Sequence, residues 1–156
     1  MGALQGGIRN TVHAIAFSPD GKLVVTAGVS GACVWDWDAR RIVHTLRGKK
    51  PYEQQADIRG AEFSPDGKLF VTGSFDQAVK LWDTSNWQEI DTYWGHKSPI
   101  LSTAFTADGR FVASGDYVGT VHVRGISDHR DDRVIHGHSN SVNGIACSPD
   151  AMRSLR

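Results

Sequence analysis

The chain lacks a surplus of charge of either sign. Its 156 residues carry 17 Lys and Arg against 17 Asp and Glu, so the net charge is zero with histidine neutral. Such a balance lacks the basic excess of a dedicated nucleic-acid binder or a polybasic membrane-surface protein. Neither a nucleic-acid nor a membrane partner is expected. No apolar run approaches the roughly 18 residues that a bilayer-crossing helix needs. Met1 to Gly7 offer no charged segment followed by an apolar one, so no secretory signal is expected. Only two cysteines are present, Cys33 and Cys147, far apart and in no CxxC pair. That argues against a disulfide framework and against a cysteine zinc site. A reduced, cytoplasmic setting is the corresponding expectation. Proline is scarce, with five residues against 17 glycines, while 40% of the chain is hydrophobic. This composition suits a packed core of short strands and tight turns and does not suit disorder.

What the sequence does contain is repetition. Ala16-Phe17-Ser18-Pro19-Asp20-Gly21-Lys22-Leu23 returns as Glu62-Phe63-Ser64-Pro65-Asp66-Gly67-Lys68-Leu69. It returns more loosely as Ala104-Phe105-Thr106-Ala107-Asp108-Gly109-Arg110-Phe111, and starts again as Ala146-Cys147-Ser148-Pro149-Asp150. Phe17, Phe63, Phe105 and Cys147 lie 46, 42 and 42 residues apart. A period of about 40–45 residues is that of a four-stranded propeller blade. The local chemistry agrees with the period. In Ser64-Pro65-Asp66-Gly67, Pro presets φ and Gly supplies the positive φ that closes a hairpin. Val12, Ile15 and Phe17 before the first turn, and Leu23 to Thr26 after it, alternate or run β-branched. Ala78 to Trp82 give a third run and Gln88 to Trp94 a fourth. Strand and turn at this spacing make an all-β meander.

The expected fold is therefore all-β: an open or partial β-propeller of four-stranded antiparallel blades. Blades are expected over about 11–46, 57–94 and 100–136, with the first strand of a fourth over 141–150. Residues 1–10 and 151–156 are tails, and Arg47 to Ala56 form an exposed polar loop. Closed propellers need four to eight blades. Three blades and a strand leave two apolar flanks uncovered. After Asp150 the sequence departs from the repeat inside a hairpin turn, so a truncated or frameshifted piece of a longer protein is expected.

The repeated Phe-Ser-Pro-Asp-Gly-Lys, together with Leu81-Trp82-Asp83, Val34-Trp35-Asp36, Gly95-His96 and Gly137-His138, resembles the WD-repeat β-propeller family. The likeness runs from about Thr11 to Asp150, and its wording looks most like repeats of bacterial signalling proteins. The resemblance implies a polar network in each blade that joins a loop His, a strand Ser or Thr, a hairpin Asp and a strand Trp. Carried onto this chain, blade two supplies Thr72 (or Ser74), Asp76 and Trp82, with Gly48-Lys49-Lys50 where Gly-His is expected. Blade three supplies His96 and Ser114, with Val118 at the Asp position and Arg124 at the Trp position. Blade one keeps Trp35 but has Ser30 for Asp, and blade four keeps His138. Blades with incomplete networks are expected to lean on apolar packing and to be less rigid.

The resemblance implies a non-catalytic interaction scaffold that presents loops to protein partners. Residues beside the hairpin Asp point at one face in this family; here they are Val29, Phe75 and Tyr117. They are either partner contacts or packing against neighbouring blades. Lys49 and Lys50, with Arg47, form a basic loop that is either simply solvated or a dock for an acidic partner. Trp37, Trp87 and Trp94 lie off the structural Trp position and read as covers for blade edges before interface anchors. A second reading is self-assembly, in which copies close a ring and the extra strand is exchanged. A third is a metal-dependent propeller enzyme, which needs carboxylates and histidines converging from several blades. No such set recurs, and neither cofactor nor metal is expected. His136 and His138 lie close in sequence, but spacing alone is not a metal geometry. Asp76 with His96 is imaginable as an acid–base pair, yet a hairpin Asp satisfying turn donors is the simpler role. His129-Arg130-Asp131 matches the start of a kinase catalytic loop, but position 136 is His where Asn is required.

Overall fold

A computed structural model describes residues 11–46, 57–128 and 132–148. The basic-loop residues Lys49 and Lys50, and both expected tails, lie outside the described residues. Twelve strands are arranged in chain order: β1 Val12–Phe17, β2 Leu23–Gly28, β3 Gly31–Asp36, β4 Arg41–Leu46, β5 Ile58–Phe63, β6 Leu69–Ser74, β7 Val79–Asp83, β8 Gln88–Tyr93, β9 Ile100–Phe105, β10 Phe111–Asp116, β11 Thr120–Gly125 and β12 Arg133–His136. They form three antiparallel four-stranded sheets, each a plain meander: β1 to β4, β5 to β8 and β9 to β12. The described residues contain no helix. This is the expected open array of blades.

The first hairpin of every blade is built alike. Ser18 Oγ donates to Asp20 Oδ1 at 2.6 Å, Ser64 Oγ to Asp66 Oδ1 at 2.7 Å and Thr106 Oγ1 to Asp108 Oδ1 at 2.6 Å. In each turn the glycine N–H returns to the Ser or Thr carbonyl, with φ of 73°, 72° and 68° at Gly21, Gly67 and Gly109. Only glycine takes that left-handed position without strain, which is why glycine follows the Asp in all three turns.

Blades pack through their flanks. Val25, Ala27, Val34 and Leu46 of blade one meet Ile58, Phe63, Phe70 and Trp82 of blade two. Val71, Val79, Leu81 and Tyr93 of blade two meet Ile100, Phe105 and Val112 of blade three. The innermost strands β1, β5 and β9 run side by side. Trp87 covers the first junction, its ring 5.8 Å from Phe70 and 6.1 Å from Phe63, and stacks with His44. Trp37 stands edge-on to Phe17, and Trp94 is exposed.

The same register positions have opposite fates in different blades. Val12, Ile58 and Ile100 are equivalent, yet are 43%, 5% and 0% exposed. Phe17, Phe63 and Phe105 are 56%, 6% and 5% exposed. The aliphatic and aromatic of an innermost strand pack against the preceding blade, and the described residues place none before blade one. Burial of a Phe side chain is worth about 1.5–3 kcal/mol, so two of the three Phe anchors hold blades together and the first contributes little to the isolated array.

Residues 141–148, expected as a strand, make no ladder. A propeller strand gains its hydrogen bonds from the next strand of its own blade, and the described residues hold no such partner for this segment. The segment is pinned at Val142, whose N–H reaches the Asp116 carbonyl and whose carbonyl accepts from Ser102 Oγ, both at 2.9 Å. Cys147, which stands where the other three repeats carry Phe, is only half-buried. Burial, then the charge of Glu62, push its thiol pKa up, which makes it a poor nucleophile.

Candidate partner-binding face

One end of the array is organised by a feature that repeats in each blade. The pairing of the first two strands skips one residue near the start of the innermost strand: His13, Arg59 and Leu101. A bulge of this kind re-aims the extra side chain out of the ladder. At the same end, the turns from second to third strand carry Val29, Phe75 and Tyr117. Their N–H groups donate to the residues that lead into the innermost strands: Val29 to Thr11 at 3.3 Å, Phe75 to Asp57 at 2.9 Å and Tyr117 to Pro99 at 2.9 Å. Each blade thus fixes one turn residue beside one bulged residue. Phe75 and Tyr117 are 49% and 60% exposed, and Val29 is half-buried.

Charge is ordered between the first two of these pairs. The Arg59 guanidinium donates to Asp57 Oδ2 through Nη2 at 2.8 Å and Nε at 3.0 Å, and sits 5.7 Å from the centre of the Phe75 ring. His13 Nε2 of blade one lies 3.2 Å from Asp57 Oδ1, close but off the line of a good hydrogen bond. The three bulged residues escaped the sequence reading, because a bulge leaves no mark in an apolar pattern.

The internal networks hold these turns. In blade two the Trp82 indole N–H donates to Thr72 Oγ1 at 3.0 Å, which settles Thr72 over Ser74 as the indole's partner. Ser74 Oγ instead donates to Asp76, whose Oδ1 also accepts the Ala78 N–H. In blade one the Trp35 indole N–H donates to Thr26 Oγ1 at 2.9 Å. Thr26 was legible as the threonine nine residues before Trp35, as Thr72 precedes Trp82 by ten.

Blade three corrects the expectation of a weakened network. Val118 does replace the hairpin Asp, and it is exposed. The acid has moved two residues upstream. Asp116 Oδ1 accepts from the N–H groups of Thr120 at 2.8 Å and Val118 at 3.1 Å, while Asp116 Oδ2 lies 3.0 Å from His96 Nδ1. His96 Nε2 lies 2.7 Å from Ser114 Oγ. Thr120 is the counterpart of Ala78, so a single carboxylate does the work of the Ser74–Asp76 pair. His96 therefore partners Asp116 and not Asp76. Arg124, at the Trp position, lays its guanidinium 4.3 Å from the centre of the Tyr93 ring and its Nε 3.1 Å from Asp132. His138 is exposed, and no strand of a fourth blade stands beside it among the described residues.

Ser114, His96 and Asp116 share the connectivity of a hydrolytic triad, but the three are only 4%, 7% and 1% exposed. The adjoining cavity, beside His122 and Arg124, holds about 20 Å³, room for no more than a water. A nucleophile sealed this way meets no substrate, so the set is structural. Burial raises the Asp116 carboxyl, but the bonds from His96 and the Thr120 and Val118 amides outweigh it and hold it below the usual range. His122, whose ring centre is 4.1 Å from that of His96, is held below its ordinary value by burial and then by His96. Among the described residues no group of three or more His, Cys, Asp or Glu could hold a metal ion.

A second concavity, about 460 Å³, crosses the C-terminal halves of the innermost strands, with Ile15, Phe17, Phe63, Phe105 and Thr103 on its walls. Glu62 lies in it, its carboxyl raised by burial and partly lowered by the Phe105 N–H at 2.6 Å.

Three segments, residues 3–36, 40–83 and 87–124, match the family model described as WD domain, G-beta repeat. The chain belongs to the WD-repeat family. Among curated proteins it is 27% identical over 154 residues to nuclear distribution protein PAC1 of Arthroderma benhamiae, covering 91% of this chain and 32% of that protein. It is 27% identical over 157 residues to the guanine nucleotide-binding protein subunit beta of Oryza sativa subsp. japonica, covering 91% and 40%. It is 33% identical over 130 residues to F-box/WD repeat-containing protein 15 of Mus musculus, covering 82% and 27%. The chain thus spans between about a quarter and two fifths of these relatives. Among solved structures, one titled "Structure of U3-55K" superposes with a TM-score of 0.81 at 20% identity, covering 89% of this chain and 43% of that one. That likeness speaks for the fold.

Proposed function

We propose that this WD-repeat chain is a non-catalytic protein-interaction scaffold, of the kind that longer regulatory or signalling proteins carry, working in the cytoplasm. The observation that carries the reading is the alignment of Val29, Phe75 and Tyr117 beside the bulged His13, Arg59 and Leu101, with both aromatics half-exposed. Rigid aromatics with an adjacent Arg are the side chains that dominate binding energy at protein interfaces. Their backbone is fixed at both ends of the turn, so little entropy is lost when a partner docks. The sealed Ser114–His96–Asp116 set supports a structural over a catalytic use of the only triad-like cluster among the described residues.

The test is binding of a captured partner to the wild type and to a Phe75→Ser/Tyr117→Ser variant. The expected result is a loss of affinity of at least about tenfold with the fold retained, since each truncated hot spot costs roughly 2 kcal/mol. Unchanged affinity would contradict the reading. A second reading, assembly of the chain with itself, is favoured by one observation, the exposure of Val12 and Phe17 where their equivalents are buried.

A further inference from the structure

An innermost-strand aliphatic fits a notch in the second strand of the preceding blade. Ile58 packs in one cluster with Ala27. Ile100 fills the space over Gly73, where a Cβ would meet its Cγ2 at 2.6 Å. Val142 fills the space over Gly115, where a Cβ would meet its Cγ1 at 2.5 Å. Val12 is the fourth member of this series, and at 43% exposed it finds no notch among the described residues.

The segment that fills the notch at Gly115 is anchored there by Val142 and its two backbone bonds, with Ile145 also against the notch. Apart from Val142, the segment 141–148 is half-buried or exposed, and it forms no ladder. Its sequence is also the innermost strand most like β1. Val12, Ile15 and Ala16 recur as Val142, Ile145 and Ala146, and both segments run on into Ser-Pro-Asp. β5 and β9 carry Ala61-Glu62 and Thr103-Ala104 at the positions of Ile15-Ala16. β1 is therefore shaped for the slot that 141–148 occupies, and it arrives already paired to three further strands.

We infer that residues 141–148 are a placeholder, and that a second copy of this chain docks its blade one there, Val12 replacing Val142 over Gly115 and Phe17 covering the blade-three flank. This rests on the self-assembly reading and specifies it: the junction is head-to-tail and reproduces the two junctions inside the chain. Two copies joined twice in this way bring six blades, within the range of closed propellers.

The experiment is light-scattering mass across a concentration series for the wild type, Val142→Asp, Phe17→Asp and Ile15→Ser. Ile15 is 62% exposed, so its variant leaves the isolated blades intact. The inference expects the wild type to pass from the 17.0 kDa of one chain to twice that mass. Loosening the placeholder with Val142→Asp lowers the midpoint concentration at least about tenfold, while Phe17→Asp and Ile15→Ser stay monomeric or shift the midpoint upward. A monomer for both wild type and Val142→Asp at all concentrations overturns self-assembly altogether. Assembly that Phe17→Asp and Ile15→Ser leave untouched, or that Val142→Asp weakens, overturns this junction and leaves self-assembly standing.

Discussion

Asp116 shows how a residue-scale substitution hides in a repeat. A position-by-position comparison finds Val118 where an acid is expected and concludes that a bond is lost. A carboxylate at the Ser74-equivalent position reaches the same turn N–H group and the same histidine. The deciding quantity is side-chain reach, which spacing does not encode. Asp116→Asn removes the charge from a buried pair with His96 and is expected to cost about 1–3 kcal/mol, read as a lower melting temperature. Val118→Asn, at an exposed position, is expected to cost under about 0.5 kcal/mol. Equal losses would contradict the assignment. Acid acts through the same cluster. The Asp116 carboxyl is lower in the folded than in the unfolded chain, so its stabilisation is complete above the unfolded carboxylate range, about 4, and is lost as pH falls below that range through the depressed folded value. His122 is likewise lower when folded, so its contribution is complete above about pH 6.5 and is lost as pH falls below that. It faces His96, Arg124, Asp116 and Asp132. The melting temperature of the wild type is expected to drop more between pH 7 and 5 than that of His122→Asn. An equal drop in the two would contradict the account of His122.

At the scale of the element, identical residues are worth different amounts. Phe63 sits at a junction and Phe17 on a bare flank, though both end an innermost strand before Ser-Pro-Asp-Gly. Phe63→Ala is expected to cost about 3–5 kcal/mol in denaturant unfolding, and Phe17→Ala under about 1 kcal/mol at concentrations where the chain is monomeric. Similar costs would contradict the blade order described. The strands themselves were legible, because alternation and the Ser-Pro-Asp-Gly turn mark them locally. The bulges at His13, Arg59 and Leu101 were not, since a skipped ladder residue is a property of the pairing and not of either strand alone. The expected strand at 141–148 fails for a related reason: its pattern is right, but a strand exists only with a partner to bond.

At the scale of the whole molecule, the period of 46, 42 and 42 residues carries most of the fold. Once the repeat is seen, sheet order and the stacking of blades follow, because each unit can bury its flanks only against its like. The candidate face was half legible. Val29, Phe75 and Tyr117 came from the repeat alignment, whereas their pairing with the bulged residues required the backbone bonds across each blade. The central claim is that partners are read by that face. Its most direct measurement is hydroxyl-radical footprinting of the chain with and without a bound protein partner, resolved by residue. The account predicts protection of Phe75 and Tyr117, with the rings of Trp94 and of the buried His96 unchanged. Protection confined to Trp94 or to the outer strands, with Phe75 and Tyr117 as reactive as in the free chain, would contradict it.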